Sequence, residues 1–595
     1  MDSLKHLSGE NVKVALIDSG IFTDRREFKN RKIWQNCETD DVGHGTAVAS
    51  ILFSVAKNIE LFSYKIFGNE YETEVEDLIE LLEKLENEKI DIIHISSGVT
   101  FISKENKQRL HDVCKRLSDN DVSIVAAFDN DGRISYPAYF DCVIGVDWNK
   151  YCSNGRDYIF FDGSNINIGG TGASMRLPWK DGYKIVAGAS FAAPYISGIV
   201  AKLKESGIKK NKYILEKLSE NSARVVKWRK KEEYNKLPNI NRAVTFPFNK
   251  EIDAIYRNND LVDYKLVGAF DYRLLGNVGK KVSEIINNDN CDLIIRDIDE
   301  LDWKKEEFDT FILGHTDIIS SVLNKSLINE FIEKCKKYKK QIVSFDDPND
   351  FITNNTEKNV YTPNITEAEI PVNNMGKLFG INTPVVNVMG TSSKQGKFTL
   401  QLKIKREIMG RGFKVGMLGT EPNAEIVGFD ECVPMGYNSM EMASRPEIIQ
   451  VINEKLHYID EKNVDVIICG SQSQTVSYNY GNMGFYPIQQ HNFILATEPD
   501  CTVLVANIGD EVEYIKRTIQ YIEATASSKV IAIVMSNLIS DRNWNVKGTA
   551  FRVAEGLIEQ DIIDRIEKET KRKCYYMGSE NSIHDLVDSI VNYLS

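Results

Sequence analysis

The chain has 595 residues, more than one hydrophobic core usually supports, so length alone predicts about three or four domains. With 42% hydrophobic and 27% charged residues the composition is ordinary globular usage, which excludes a disordered, collagen-like or coiled-coil majority. Lys and Arg total 73 against 86 Asp and Glu, a net charge of −13; such an acidic body repels phosphate backbones and anionic lipid, so neither nucleic acid nor membrane is an expected partner.

The start, MDSLKHLSGENVKVALIDSG, has no uninterrupted apolar run, and later runs such as VIAIVM at 530–535 fall short of the roughly 20 residues that cross a bilayer. The ten cysteines are scattered without a CxxC pair, several inside apolar runs that favour buried free thiols. A soluble, unexported protein of the reducing cytoplasm is expected.

Residues 1–248 alternate apolar runs (VKVALID, NIELFSYKIF, IDIIHISS, VSIVAAF) with helical stretches, among them HGTAVASILFSVA and a charged amphipathic helix near 73–88. That is the rhythm of a doubly wound parallel sheet, whose buried strands read as continuous Val/Ile runs. The basic stretch KKNKYILEKLSENSARVVKWRKKEEYNK predicts a solvated helix pair closing this domain, and the prolines of LPNINRAVTFPFNKEID mark a boundary near 248. Residues 249–378 predict a small Rossmann-like α/β domain with strands LIIRDID, FDTFILGH and KQIVSFDD. It carries no strong chemical motif; His315 and Asp317 of GHTD end a strand, where a crevice ligand could bind. Residues 379–595 predict a third α/β domain, with strands PVVNVMG, FKVGMLG, VDVIICG, CTVLVAN and KVIAIVMSN. The fold class is therefore α/β throughout.

Three stretches of the first domain carry the groups of nucleophilic acyl transfer. Asp18 ends VKVALIDSG, His44 opens a helix in GHGTAVAS, and Ser190 starts a helix in GASFAAP. A serine hydroxyl attacks only when an imidazole takes its proton, and the imidazole needs a carboxylate to fix its tautomer and stabilise its charged form. In VAAFDNDG, Asn130 follows a buried strand, where its amide is placed to donate to a tetrahedral oxyanion.

These motifs, in this order over residues 11–246, resemble the subtilisin family. The resemblance implies a subtilisin-like sheet, Asp18, His44 and Ser190 as the catalytic triad, and Asn130 as oxyanion donor. It also implies that IIHISSG is an edge strand, whose Ser96, Ser97 and Gly98 pair with an extended peptide or protein substrate. Proteolysis of this kind needs no cofactor. Asp129 stands where the family has a glycine, and Ala189 where threonine is common. Asp18 lies so near the start that no family pro-segment is expected before it. No metal site is read from the sequence.

In the third domain the strand PVVNVM runs into GTSSKQGKFT and a helix, the order a phosphate cradle requires. Gly390 and Gly396 let backbone amides face an anion beside Thr391, and Lys397 supplies the point charge. Five residues separate the glycines rather than four, and the stretch resembles the longer loop of dethiobiotin synthetase and related P-loop proteins. That resemblance implies ATP or GTP with Mg2+, held by the loop through Phe398 and Thr399, and the base read by Asn537, the end of IAIVMSN. In VDVIICGSQSQ, Cys469 replaces the family's acidic residue.

Three functions stay open. The first is a cytoplasmic serine endopeptidase that removes a leader from a ribosomally made precursor peptide, with the P-loop module coupled to cleavage; the fusion resembles clostridial peptide-maturation proteins. The second is a nucleotide-gated regulatory or defence protease, and the third a P-loop ligase or kinase acting on a carboxylate with a protease fused to it. Oligomeric state is open, a homo-oligomer included.

Overall fold

The computed structural model describes residues 4–595 except 38, 68–71, 131, 153–156, 229–235, 287–290, 347–359, 366–374, 436–446, 478–480, 482–485, 537, 542–549 and 554–559. The chain divides into two units, residues 1–231 with 371–382, and residues 232–370 with 383–595.

The first unit is built on a nine-stranded sheet. Its strands are β1 (Lys13–Asp18), β2 (Lys32–Gln35), β3 (Glu60–Lys65), β4 (Ile92–Ile95), β5 (Ser123–Ala127), β6 (Ile144–Trp148), β7 (Ile159–Asp162) and β8 (Ile168–Gly170). A hairpin of β9 (Met175–Trp179) and β10 (Gly182–Val186) stands apart, and β11 (Arg224–Lys227) completes the sheet in the order β11-β7-β8-β6-β5-β4-β1-β3-β2. Every pairing in it is parallel except β7 with β8. The strands of KVALID and SIVAA are buried on both faces because helices cover the sheet on each side, which is why they read as unbroken apolar runs. The helices that shape the site are α1 (His44–Val55), α2 (Val75–Leu85), α3 (Lys104–Asp119) and α4 (Ala189–Glu205). They divide the interior into two apolar cores, one joining β1 and β5 to α1 and α4, the other packing β4 against α2 and α3. IIHISSG is not at a sheet edge as expected: β4 lies inside the sheet between β1 and β5, and only its continuation past Ile95 is free of the ladder.

The second unit holds two parallel sheets. The first comprises β12 (Arg242–Phe246), β13 (Lys265–Asp271), β14 (Ile295–Asp297), β15 (Thr310–Leu313), β16 (Gln341–Ser344) and β17 (Val360–Tyr361), in the order β14-β13-β12-β15-β16-β17. This is the 3-2-1-4-5-6 order of a Rossmann-type sheet. The second comprises β18 (Val385–Gly390), β19 (Val415–Gly419), β20 (Glu431–Cys432), β21 (Val466–Gly470), β22 (Cys501–Asn507), β23 (Lys529–Ser536) and an outer strand Lys573–Tyr576, in the order β20-β19-β21-β18-β22-β23 and then Lys573–Tyr576. One apolar cluster runs through both sheets, from Ala243 and Ile295 to Val386 and Val503.

These units differ from the divisions at 248 and 378 expected from the sequence. RAVTF, despite the prolines on either side of it, does not close the first unit; it is the central strand β12 of the second, hydrogen-bonded to β13 and β15. Residues 371–382 group with the first unit although they come after the second unit's first sheet in the chain. Among the described residues no helix is long and apolar enough to cross a membrane.

Candidate active site

Asp18 is the last residue of β1 and wholly buried. Its Oδ1 accepts the Ser19 N–H at 2.7 Å, and its two oxygens lie 2.9 and 3.0 Å from His44 Nδ1. Burial pushes the Asp18 carboxyl up, but the charge and hydrogen bond of His44 with the Ser19 amide outweigh it and hold the group below the ordinary carboxylate value. His44 is the first residue of α1, and the turn before it requires Gly43: φ is 97°, and a Cβ there would lie 2.7 Å from the Trp179 indole.

A residue that belongs to none of the sequence motifs fixes this helix start. Buried Asp40 accepts from Ser19 Oγ, from the Gly43 and Thr46 amides and from Thr46 Oγ1, at 2.8, 2.6, 2.9 and 2.5 Å. Three donors around the first turn of α1 are thereby satisfied by one carboxylate placed at the positive end of the helix. Nothing in DDVGHG distinguishes Asp40 from Asp41 without the fold.

Ser190 is the second residue of α4 and is buried, with Gly188 before it at φ 138°. Asn130 Oδ1 accepts the Ala189 N–H at 2.9 Å, which turns the carboxamide so that its NH2 is left to donate elsewhere. A Cβ on Gly188 would come within 2.7 Å of that Oδ1, so the close approach depends on glycine. Past β4, Ser96–Gly98 continues outside the sheet and is pinned at its far end, where Val99 and Tyr136 exchange both backbone hydrogen bonds at 2.9 Å. His44, Ser96, Ser97, Gly98, Asn130 and Ser190 line one cleft of about 1260 Å³, with Asp18 behind His44. Asp129 is half-buried and lines the same cleft.

Beneath the cleft, buried His94 joins the two walls: its Nδ1 is 2.7 Å from Ser197 Oγ on α4 and its Nε2 2.7 Å from Ser96 Oγ. Burial, only partly offset by Asp18, lowers the imidazole from 6.5 to about 4. A histidine held neutral in the fold and free to protonate at 6.5 when unfolded makes stability fall as pH drops from 6.5 to about 4, and no further below that. The loss should total about 3 kcal/mol. Urea unfolding from pH 7 to 4.5 checks this, and His94→Gln should flatten the slope.

In the second unit, β18 ends at Gly390 and the helix Lys397–Gly410 begins after Gly396, whose φ is 86°. Lys397 is buried, its Nζ donating to the carbonyls of Ser392 and Ser473 at 2.7 and 3.0 Å. Burial lowers its ammonium to about 8, against the opposing charge of Glu421 and aided by Lys250. Thr391 Oγ1 donates to Asp510 at 2.5 Å, and Gln395 Oε1 takes the Ser392 N–H at 2.9 Å. Phe398 does not face the loop's interior: its ring stacks on Phe429 at 5.2 Å. Thr399 is exposed, and Asn537 lies outside the described residues. Two residues not singled out from the sequence stand at the neighbouring strand ends: buried Asn507, whose Oδ1 has no hydrogen-bond partner among the described residues, and buried Ser471 of VDVIICGSQSQ, whose Oγ has none there either. In the Rossmann-type sheet His315 Nδ1 is 2.8 Å from Asp346, and Asp317 is exposed at the start of a helix.

The subtilase family model matches residues 9–244. The major intracellular serine protease of Bacillus subtilis is 30% identical over 232 residues, which cover 34% of this chain and 70% of that protein. Subtilisin DY of Bacillus licheniformis is 27% identical over 32% of this chain and 76% of its own length. A solved prenylagaramide maturation protease is 22% identical over 35% of this chain and 82% of its own, with a TM-score of 0.30. Residues 373–571 match a model described as "Domain of unknown function (DUF1611_C) P-loop domain". The first unit is therefore that of a serine endopeptidase. The chain belongs to the subtilase family, and it carries in addition a P-loop domain outside the residues that the subtilase model matches.

Proposed function

We propose that the chain hydrolyses peptide bonds with Asp18, His44 and Ser190 as its triad, and that the carrying observation is the convergence of His44, Ser190, Asn130 and Ser96–Gly98 on one cleft with Asp18 behind the imidazole. A substrate strand laid along Ser96–Gly98 presents its carbonyl to Ser190 Oγ. His44 takes the hydroxyl proton and returns it to the leaving amine, while Asp18 holds Nδ1–H and favours the imidazolium. The Asn130 NH2 donates to the developing oxyanion.

The substrate is an extended peptide in the cytoplasm, a precursor from which a leader is removed. The cytoplasmic reading draws on the intracellular relative and on ten free cysteines. Glu72, Glu74, Asp77 and Asp129 line the cleft together with the ammonium of Lys184, an acidic excess that favours peptides bearing basic side chains around the cut. Incubating the purified chain with a peptide library and reading products by mass spectrometry tests this. Cleavage confined to peptides with Lys or Arg near the scissile bond supports it, and indifference to charge or an absence of products overturns it.

The P-loop unit binds ATP or GTP. The fit rests on the buried ammonium of Lys397 at the loop and on two buried oxygens, Asn507 Oδ1 and Ser471 Oγ, that have no hydrogen-bond partner among the described residues. A bound triphosphate brings the anionic charge that this lysine and the loop amides are set to neutralise, with Glu421 and Asp510 the nearby carboxylates for Mg2+. Lys397→Ala is expected to weaken nucleotide binding at least tenfold by calorimetry; unchanged affinity would remove the assignment. Whether nucleotide governs proteolysis is read by repeating the library assay with and without ATP or GTP.

A further inference from the structure

Residues 375–381 come after the Rossmann-type sheet in the chain, yet they pack against residues that line the protease cleft, among them Thr100, Phe101 and Asp129. The Leu378 carbonyl accepts the Ile134 N–H at 2.9 Å, making a parallel bridge with Arg133. On the other side, Tyr136 of the same short segment is bonded to Val99, the residue after the substrate-pairing stretch. Phe379 is buried in the core that contains Ile95 and Ile134, its ring 5.5 Å from Tyr139. Gly380 lies so close to residues 100 and 101 that a Cβ would fall 2.7 Å from the Thr100 carbonyl. Lys377 Nζ donates to the Asp129 carbonyl at 3.0 Å and sits 3.3 Å from Asp147 Oδ2 on β6.

Lys377 and Asp147 are 7% and 6% exposed, so each charge has given up most of its water. A pair this deep adds little stability over apolar side chains of the same size, whereas it fixes position firmly. What it fixes is the residue immediately before Asn130, tied by one ammonium to a strand of the sheet. The peptide plane leading into Asn130 is thus held on one side by Lys377 and, through the Asn130 side chain, on the other by the Ala189 amide.

We infer that the segment 375–381 is a working part of the protease and that Lys377 is a positioning residue that sets the oxyanion donor Asn130. The inference rests on the proposed role of Asn130. It makes proteolysis depend on a stretch that lies outside residues 9–244, where the family model matches.

The test measures kcat and KM for peptide cleavage in the full chain. Lys377→Met should lower kcat about tenfold or more and leave KM within about twofold, because the lost interaction acts on the transition state. Lys377→Arg, which keeps the charge, should recover most of the loss. In an Asn130→Ala background Lys377→Met should cost less than about twofold further, since both act through one donor. If Lys377→Met does not fold, Lys377→Met with Asp147→Asn, which leaves no orphan charge, is assayed in its place and should show the same kcat loss. Wild-type kcat in a folded variant, or a full further loss on top of Asn130→Ala, overturns the positioning role. Full activity of Asn130→Ala alone would instead sink the oxyanion assignment.

Discussion

Ser190→Ala is expected to lower kcat for peptide cleavage by about a millionfold, the scale found when a serine protease of this family loses its nucleophile, with the fold intact. The size follows from how the groups depend on each other. In the proposed triad, loss of the hydroxyl at the start of α4 leaves His44 no proton to take and the Asp18 carboxylate no imidazolium to stabilise. The stability change should be small, because the substitution removes a single oxygen from a helix terminus and introduces no strain or bulk. Urea midpoints within experimental spread of the unsubstituted chain, alongside the loss in kcat, separate a chemical role from a structural one. A variant that retained a tenth of the activity would contradict it.

Asn130→Ala carries the second largest effect, a loss of about a hundredfold to a thousandfold in kcat with KM little changed. The carboxamide is anchored at its oxygen end by the Ala189 N–H, one residue before Ser190, so its donor end keeps a fixed relation to the nucleophile. A donor aimed in advance at developing charge stabilises the transition state more than the ground state, which is why the loss belongs in kcat. Asn130→Asp separates geometry from charge: the shape is kept, but a carboxylate repels an oxyanion, and the loss should be at least as large. Loss confined to KM would reassign Asn130 to substrate binding.

Much of this site is legible in the sequence because its parts lie at the ends of elements with strong local signatures. VKVALID is apolar without a break since both faces of the sheet are covered, so the pattern alone puts Asp18 at a strand end. GHG and GAS announce His44 and Ser190 because a backbone bent against Trp179 and Asn130 leaves no space for a Cβ. Residues that depend on distant partners escape. Asp40 differs from its neighbour Asp41 only in the four donors that surround it, and His94 is one more residue in an apolar strand until Ser197 and Ser96 meet it. β12 is five residues between two prolines, and prolines are punctuation in a sequence, yet the strand pairs centrally in its sheet. Lys377 meets Asp147 from far along the chain, a separation over which no local pattern carries information. The P-loop shows both sides: its glycines and Lys397 are read from spacing, while Phe398 answers to a ring on another segment, Phe429.

The whole mechanism depends on the folded chain making the Ser190 hydroxyl nucleophilic. A fluorophosphonate reagent, which reacts with serines activated by a neighbouring base, tests this without any knowledge of the natural peptide. One adduct per chain is expected, mapped by peptide mass spectrometry to Ser190, and it should disappear in His44→Ala as well as in Ser190→Ala. A native, folded chain that takes up no reagent, or takes it up at a different serine, would refute that chemistry.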